Sequence, residues 1–132
     1  MSVPDSALHE KIEGFNAGHP RLKIRCQESQ SPRGLVLAAT GNLDADSSAD
    51  FQLLAIDSLS EAKRIGGLII DLEGVSYLSS LGVGALSALL VSTRNHQIDL
   101  HLSRLQEGPR SVLEVLGFLA FFDCIDGYEI SP

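Results

Sequence analysis

Between Leu22 and Cys26 apolar and basic side chains alternate (Leu, Lys, Ile, Arg, Cys), a period of two that predicts a half-buried strand. The polar stretch Ser29–Gly34 reads as a turn and Leu35–Thr40 as a second strand. A connection this short favours an antiparallel hairpin, which Gly41-Asn42-Leu43-Asp44 brings to an end. Asp46, Ser47 and Ser48 offer cap oxygens, and Ser47 with Asp50 fits a capping box, so a helix is expected from there to about Ala62. Asp50, Asp57 and Glu61 fall on one narrow stripe of that helix, its expected solvated face.

After Gly66-Gly67 the unbroken apolar run Leu68–Leu72 predicts a strand covered on both faces, and Glu73–Leu78 reads as a loop. Ser79 or Ser80 then caps a helix reaching about Arg94. Ile98–Leu102 alternates again and predicts another strand. Pro109 suits the first turn of a last helix, and Gly117 suits the position just past its end. The aromatic segment Phe118–Phe122 closes the core, and Tyr128–Ile130 reads as an edge strand. Ahead of all this, Leu8, Ile12 and Phe15 at i, i+4 and i+7 predict a short helix inside an N-terminal extension, residues 1–20, docked as a loose cap on a domain spanning 21–132. The order β-β-α-β-α-β-α predicts a single α/β domain, with helices packed on one mixed sheet whose helical crossovers are right-handed.

Length and charge narrow the function. A chain of 132 residues suits one domain. Its net charge of −7 argues against a nucleic-acid surface, which needs clustered Lys and Arg. The uncharged run Val75–Thr93 reaches the length of a membrane span, but five serines with Gly82 and Gly84 interrupt it between strand and helix signals, so no membrane segment is expected. No basic region followed by an apolar one opens the chain, and a cytoplasmic location is expected. Cys26 and Cys124 read as reduced, half-buried fillers.

Chemistry is sparse. His9, His19, His96 and His101 show no i, i+4 spacing and no cysteine neighbours another ligand, so no metal is expected. Neither Ser79 nor Ser80 lies in G-x-S-x-G, and no base stands at a local spacing. Gly82-Val83-Gly84 is half of a dinucleotide motif, but Ser87 holds the third glycine position and the strand ends about ten residues too early. No cofactor and no enzymatic activity are expected.

What remains is a hydroxyl at the mouth of an apolar helix. The plain reading is a cap. The sharper one is a phosphoacceptor, because a phosphate there meets free N–H groups and the positive end of the helix dipole. From Leu81 to Thr93 no side chain is charged. Ser80, Gly84, Ser87 and Val91 share one side of the helix, with Leu86, Leu89 and Leu90 on the other. A small, uncharged outward side suits docking, either of a partner or of the chain's own N-terminal segment.

Three segments then carry a resemblance: G-N-L-D at 41–44, L-I-I-D-L-E-G-V-S-Y-L-S-S-L-G-V-G-A-L at 68–86 and S-V-L-E-V-L-G-F at 111–118. They resemble the STAS domain in its stand-alone bacterial form, the anti-sigma-factor antagonist, across about Leu22 to Ile130. The resemblance implies a four- or five-stranded mixed sheet with helices chiefly on one face. It also implies partner switching, in which the unphosphorylated domain binds a serine-kinase anti-sigma factor and phosphorylation ends the interaction. A PP2C-type phosphatase resets the cycle, and ATP and Mg²⁺ belong to the kinase. Matched by position, the acceptor is Ser80, with Ser79 as the lesser candidate. The partner surface maps to Asn42, Asp44, Ser79, Ser80, Leu81, Gly82, Val83, Gly84 and Ser87. Many members carry an acid directly before the acceptor, where this chain has Ser79; that departure favours the alternative of an unphosphorylated scaffold or small-ligand sensor in a larger complex.

Overall fold

A computed structural model describes residues 6–130; the first five residues of the N-terminal extension and the last two of the chain lie outside the described residues. In chain order the elements are α1 (Ser6–Gly18), β1 (Leu22–Ser31), β2 (Arg33–Leu43), α2 (Ser48–Asp57), α3 (Leu59–Ile65), β3 (Leu68–Leu78), α4 (Ser80–Asn95), β4 (Leu100–Ser103), α5 (Glu107–Val115), a 3-10 turn at Leu119–Phe121, β5 (Asp123–Ile125) and β6 (Glu129–Ile130). One sheet runs β5-β4-β3-β2-β1-β6. The β1–β2 hairpin and the β1–β6 edge are antiparallel, and the three pairs from β2 to β5 are parallel. Among the described residues six strands stand where four or five were expected. The unforeseen one is β5, whose three residues are too few to show a period.

Strand lengths also differ from the expectation. The hairpin turn tightens around Pro32, and β1 keeps pairing with β2 out to Gln30↔Arg33. Glu73–Leu78 is strand rather than loop, because β2 continues past Thr40 and pairs Gly41 with Val75, Asn42 with Tyr77 and Leu43 with Leu78. Two register shifts bend this extension. Gly41 is required there: its φ is 126°, and a Cβ would stand 1.9 Å from the Arg21 carbonyl oxygen.

The expected helix from Ser47 to Ala62 is two, α2 and α3, broken at the fully buried Ser58. Its hydroxyl donates to the Ala55 carbonyl at 2.6 Å, a local bond of the kind that competes with helix continuation. The break also dissolves the acidic stripe. Glu61 is buried and gripped by Arg64 at 2.7 Å, while Asp50 and Asp57 turn toward α1. The capping box does not form, because Ser47 Oγ donates backward to Asn42 O at 3.0 Å.

The main core lies on one face of the sheet. Leu22, Ile24, Leu35, Leu37, Leu68, Ile70 and Leu72 from the strands meet Phe51, Ala55, Leu86, Leu89 and Leu113 from the helices. Leu8, Ile12 and Phe15 of α1 join the same cluster, so the N-terminal helix is docked more firmly than a loose cap. Its Asn16 side chain also accepts from Ile24 N at 2.8 Å and donates to Ile24 O at 2.9 Å, closing part of the β1 edge as a neighbouring strand would. Ile12→Ala should therefore cost about 2–4 kcal/mol in urea unfolding, far more than a frayed extension would show.

The opposite face carries a small second cluster, Val36, Ala38 and Ile69, against which Ile125 and Tyr128 pack. Only residues 126–128 separate β5 from β6, yet those strands sit at opposite edges of the sheet. Five strand spacings would measure about 24 Å if flat, whereas four Cα steps reach at most about 14 Å. The sheet is therefore strongly curled, and the C-terminal segment straps across its concave side.

Candidate functional site

Parallel pairing of β2 with β3 brings together two chain segments that are distant in sequence. Leu43 and Leu78 end the ladder side by side, and Ser79 N donates to Leu43 O at 3.0 Å. The loop after β2 and the start of α4 thereby form one corner. In that loop Asp44 organises the chain: its Oδ1 accepts from Asp46 N at 2.9 Å, and its carbonyl oxygen accepts from Ser48 Oγ. Asn42 and Asp44 are half-buried at this corner, with part of each side chain facing solvent.

Ser79 is the cap of α4. Its backbone is extended (φ −84°, ψ 172°), and its Oγ accepts from Gly82 N at 3.2 Å. Ser80 is the first helical residue and is exposed, so the capping role belongs to the first hydroxyl of the pair and leaves the second to solvent. Gly82 sits where α4 crosses the end of the sheet: a Cβ there would lie 2.6 Å from both Leu43 O and Leu78 Cδ1. Gly82 and Val83 face inward and hold the helix in place. Ser79→Ala should cost about 1 kcal/mol in thermal or urea unfolding, whereas Ser80→Ala should leave stability within about 0.5 kcal/mol.

The outward side of α4 follows its expected pattern. Ser80, Gly84 and Val91 are exposed; Ser87 is half-buried and donates to Val83 O at 2.8 Å. The described part of the N-terminal extension packs on β1 and α2 and leaves these positions uncovered. Leu81, mapped above to the partner surface, joins them, as does Tyr77, which the sequence pattern left unassigned. Tyr77 is 55% exposed, Leu81 58% and Val91 58%. The corner therefore carries one free hydroxyl beside exposed Leu81 and Tyr77, with Asp44 on the neighbouring loop and no charged side chain on α4 before Arg94.

A second polar group lies under the C-terminal strap. Asp71, whose side chain is 4% exposed, accepts from Arg104 Nη2 and from Tyr128 Oη at 2.6 Å each, both at Oδ2, and from Glu73 N at Oδ1. Arg104 also stacks on the Tyr128 ring, 5.0 Å from its centroid. Burial by itself would raise the Asp71 carboxyl, but the bonds from Tyr128, Glu73 N–H and Arg104, with the Arg104 charge, hold it below the ordinary carboxylate value. Tyr128 is pushed up to about 12, first by burial and then by the Asp71 carboxylate. The sequence marks Asp71 as the acid that ends an apolar run, but nothing local points to partners 33 and 57 residues away. This cluster ties the strap to β3.

Among the described residues no three His, Cys, Asp or Glu side chains gather as metal ligands would, and no helix is long and apolar enough to cross a membrane. His101 pairs with Asp123 at 2.7 Å beside the sheet edge. Both cysteines are free and half-buried.

A family model described as the STAS domain matches residues 23–130. The anti-sigma factor antagonist SpoIIAA in its unphosphorylated form superposes with a TM-score of 0.60 at 16% identity, covering 76% of this chain and 86% of that one. An anti-sigma factor antagonist from Mycobacterium paratuberculosis gives 0.62 at 18%, covering 80% and 86%. The STAS domain of an antisigma-factor antagonist from Rhodobacter sphaeroides gives 0.54 at 20%, covering 70% and 94%. At these identities the likeness is one of fold. No curated protein sequence matches the chain.

Proposed function

The chain belongs to the STAS domain family, and from that membership we propose that it is an anti-sigma-factor antagonist working by partner switching. In its unmodified form it binds a serine-kinase anti-sigma factor through the corner formed by Asn42, Asp44 and the first turns of α4. The kinase, with its own ATP and Mg²⁺, transfers a phosphoryl group to Ser80 Oγ, the complex separates, and a PP2C-type phosphatase restores the hydroxyl.

One observation carries this reading. Of two adjacent hydroxyls at the helix mouth, Ser79 is engaged with Gly82 N, and Ser80 is exposed next to the exposed, uncharged Leu81, with exposed Tyr77 just before the helix. A phosphate adds about 1.5–2 negative charges at neutral pH. Placed on Ser80, it meets the positive end of the α4 dipole, so the fold tolerates it. The same charge in the middle of an apolar contact must be desolvated by the partner, which ends binding. Ser79 occupies the place of the family's usual acid and still performs the capping that the helix start requires.

Intact-mass measurement after incubation with the cognate kinase and ATP tests the assignment. One added phosphate is expected, absent in Ser80→Ala and retained in Ser79→Ala. A chain that binds its kinase but takes up no phosphate would favour the scaffold reading.

A further inference from the structure

A groove of about 620 Å³ runs between α1 and α2. On the α1 side Gly14 and Gly18 line it, and a Cβ built on either would meet nothing within 4 Å. Gly14 lies inside the helix, where it weakens α1 by about 0.5–1 kcal/mol relative to alanine; the space it leaves is open, not filled by this chain. Across the groove Leu53 is 61% exposed. The rim carries Asp46, Asp50 and Asp57 against Lys11 and His19. Asp57 meets Lys11 at 3.4 Å and Asp50 meets His19 at 3.1 Å, while Asp46 is exposed. A second cavity of about 280 Å³ shares Gly18, His19 and Asp46 with the first and extends past Arg21 to Asp44 and Ser47. The groove therefore runs into the corner assigned above to the anti-sigma factor. Its α1 wall lies before residue 23, ahead of the span that matches the family.

We infer that the α1–α2 groove is an added docking surface that receives a basic, amphipathic segment of the anti-sigma partner. Charge complementarity selects the occupant: an apolar side chain covers Leu53 while a Lys or Arg side chain meets Asp46, the rim aspartate not already paired with Lys11 or His19. The open strip at Gly14 and Gly18 gives that segment close access to the α1 backbone. Being built from an element outside the family span, the groove sets which partner this chain takes, whereas the α4 corner sets when it lets go. The identity of the occupant rests on the partner-switching reading; the groove's preference for basic segments does not.

The test uses the full ¹⁵N-labelled chain and a synthetic helical peptide with Leu and Arg at i, i+3 and i+4 spacing, alongside its Glu-for-Arg counterpart. The basic peptide should shift the amides of Gly14, Gly18 and Leu53 in a saturable way that weakens with salt, and the acidic peptide should not. Gly14→Phe leaves the net charge unchanged and should lower the basic peptide's affinity about tenfold or more with the thermal midpoint preserved. Ser80→Asp should leave peptide binding intact while ending kinase capture, so the two proposals fail separately. Shifts spread over the whole acidic surface, equal binding by Gly14→Phe, or no shifts would overturn the inference. Groove shifts that grow with protein concentration in the absence of peptide would overturn it in favour of a second copy.

Discussion

Ser80→Asp should abolish capture of the anti-sigma kinase while leaving the domain folded. The exposed first-turn position accepts a carboxylate without strain, and an acid at a helix N-terminus contributes about 0.3–1 kcal/mol of stability. The thermal midpoint should hold or rise slightly. Binding responds in the opposite direction, because the first turn of α4 offers the new charge no cation: Leu81 and Tyr77 are its exposed neighbours in the chain, and the nearby loop carries Asp44. Burying that carboxylate unpaired should cost about 3 kcal/mol or more, upward of about a hundredfold in Kd by calorimetry or pull-down. Ser80→Ala should bind as the unmodified chain does. If Ser79→Asp abolishes capture and Ser80→Asp does not, the switch belongs to the other hydroxyl.

Asp71→Asn should lower the stability of the domain by about 2–3 kcal/mol, the cost of weakening bonds between charged partners at a buried site. Asparagine keeps the shape but loses the charge that faces Arg104, and its amide has a single acceptor oxygen, whereas Asp71 accepts from Glu73 N at one oxygen and from Arg104 and Tyr128 at the other. The pH dependence follows from the direction of the shifts. The Asp71 carboxyl is held below its ordinary value near 3.8, so its contribution is complete above that value and fades as the pH falls through it toward the folded value. Tyr128 is shifted upward from 10.0 to about 12, so its contribution is complete below pH 10 and is lost as the pH climbs toward 12. Urea titrations from pH 7 down to about 3 should show a steeper decline for the natural chain than for Asp71→Asn. Parallel declines would mean that the strap is held by apolar packing alone.

The two variants probe opposite sides of one strand. β3 delivers Ser79 and Ser80 at its far end, on the side where the helices pack, and presents Asp71 to the concave side under the strap. Loosening the strap should reach the α4 corner only through β3, so Asp71→Asn should leave kinase capture largely intact.

Local pattern determined much of this protein. A period of two marked the β1–β2 hairpin; i, i+4 and i+7 spacing marked the buried face of α1; and the order of strands and helices dictated a mixed sheet with parallel crossovers. The serine pair before Gly82 was legible as the mouth of a helix, and the outward side of α4 as small and uncharged. These features are legible because each element's faces are written within a few residues of one another. The rest was decided by partners far away in the chain. Glu73–Leu78 became strand because β2 lay alongside with unpaired backbone groups to satisfy. The helix after β2 broke at Ser58, whose hydroxyl found a carbonyl one turn back. Ser79 took the cap and freed Ser80 once Leu43 O fixed the entry of α4, and Asp71 acquired its role when Tyr128, 57 residues on, was strapped over it. Sequence periodicity says which side of an element is buried; only the closed tertiary structure says against what, and which of two neighbouring hydroxyls is left facing water.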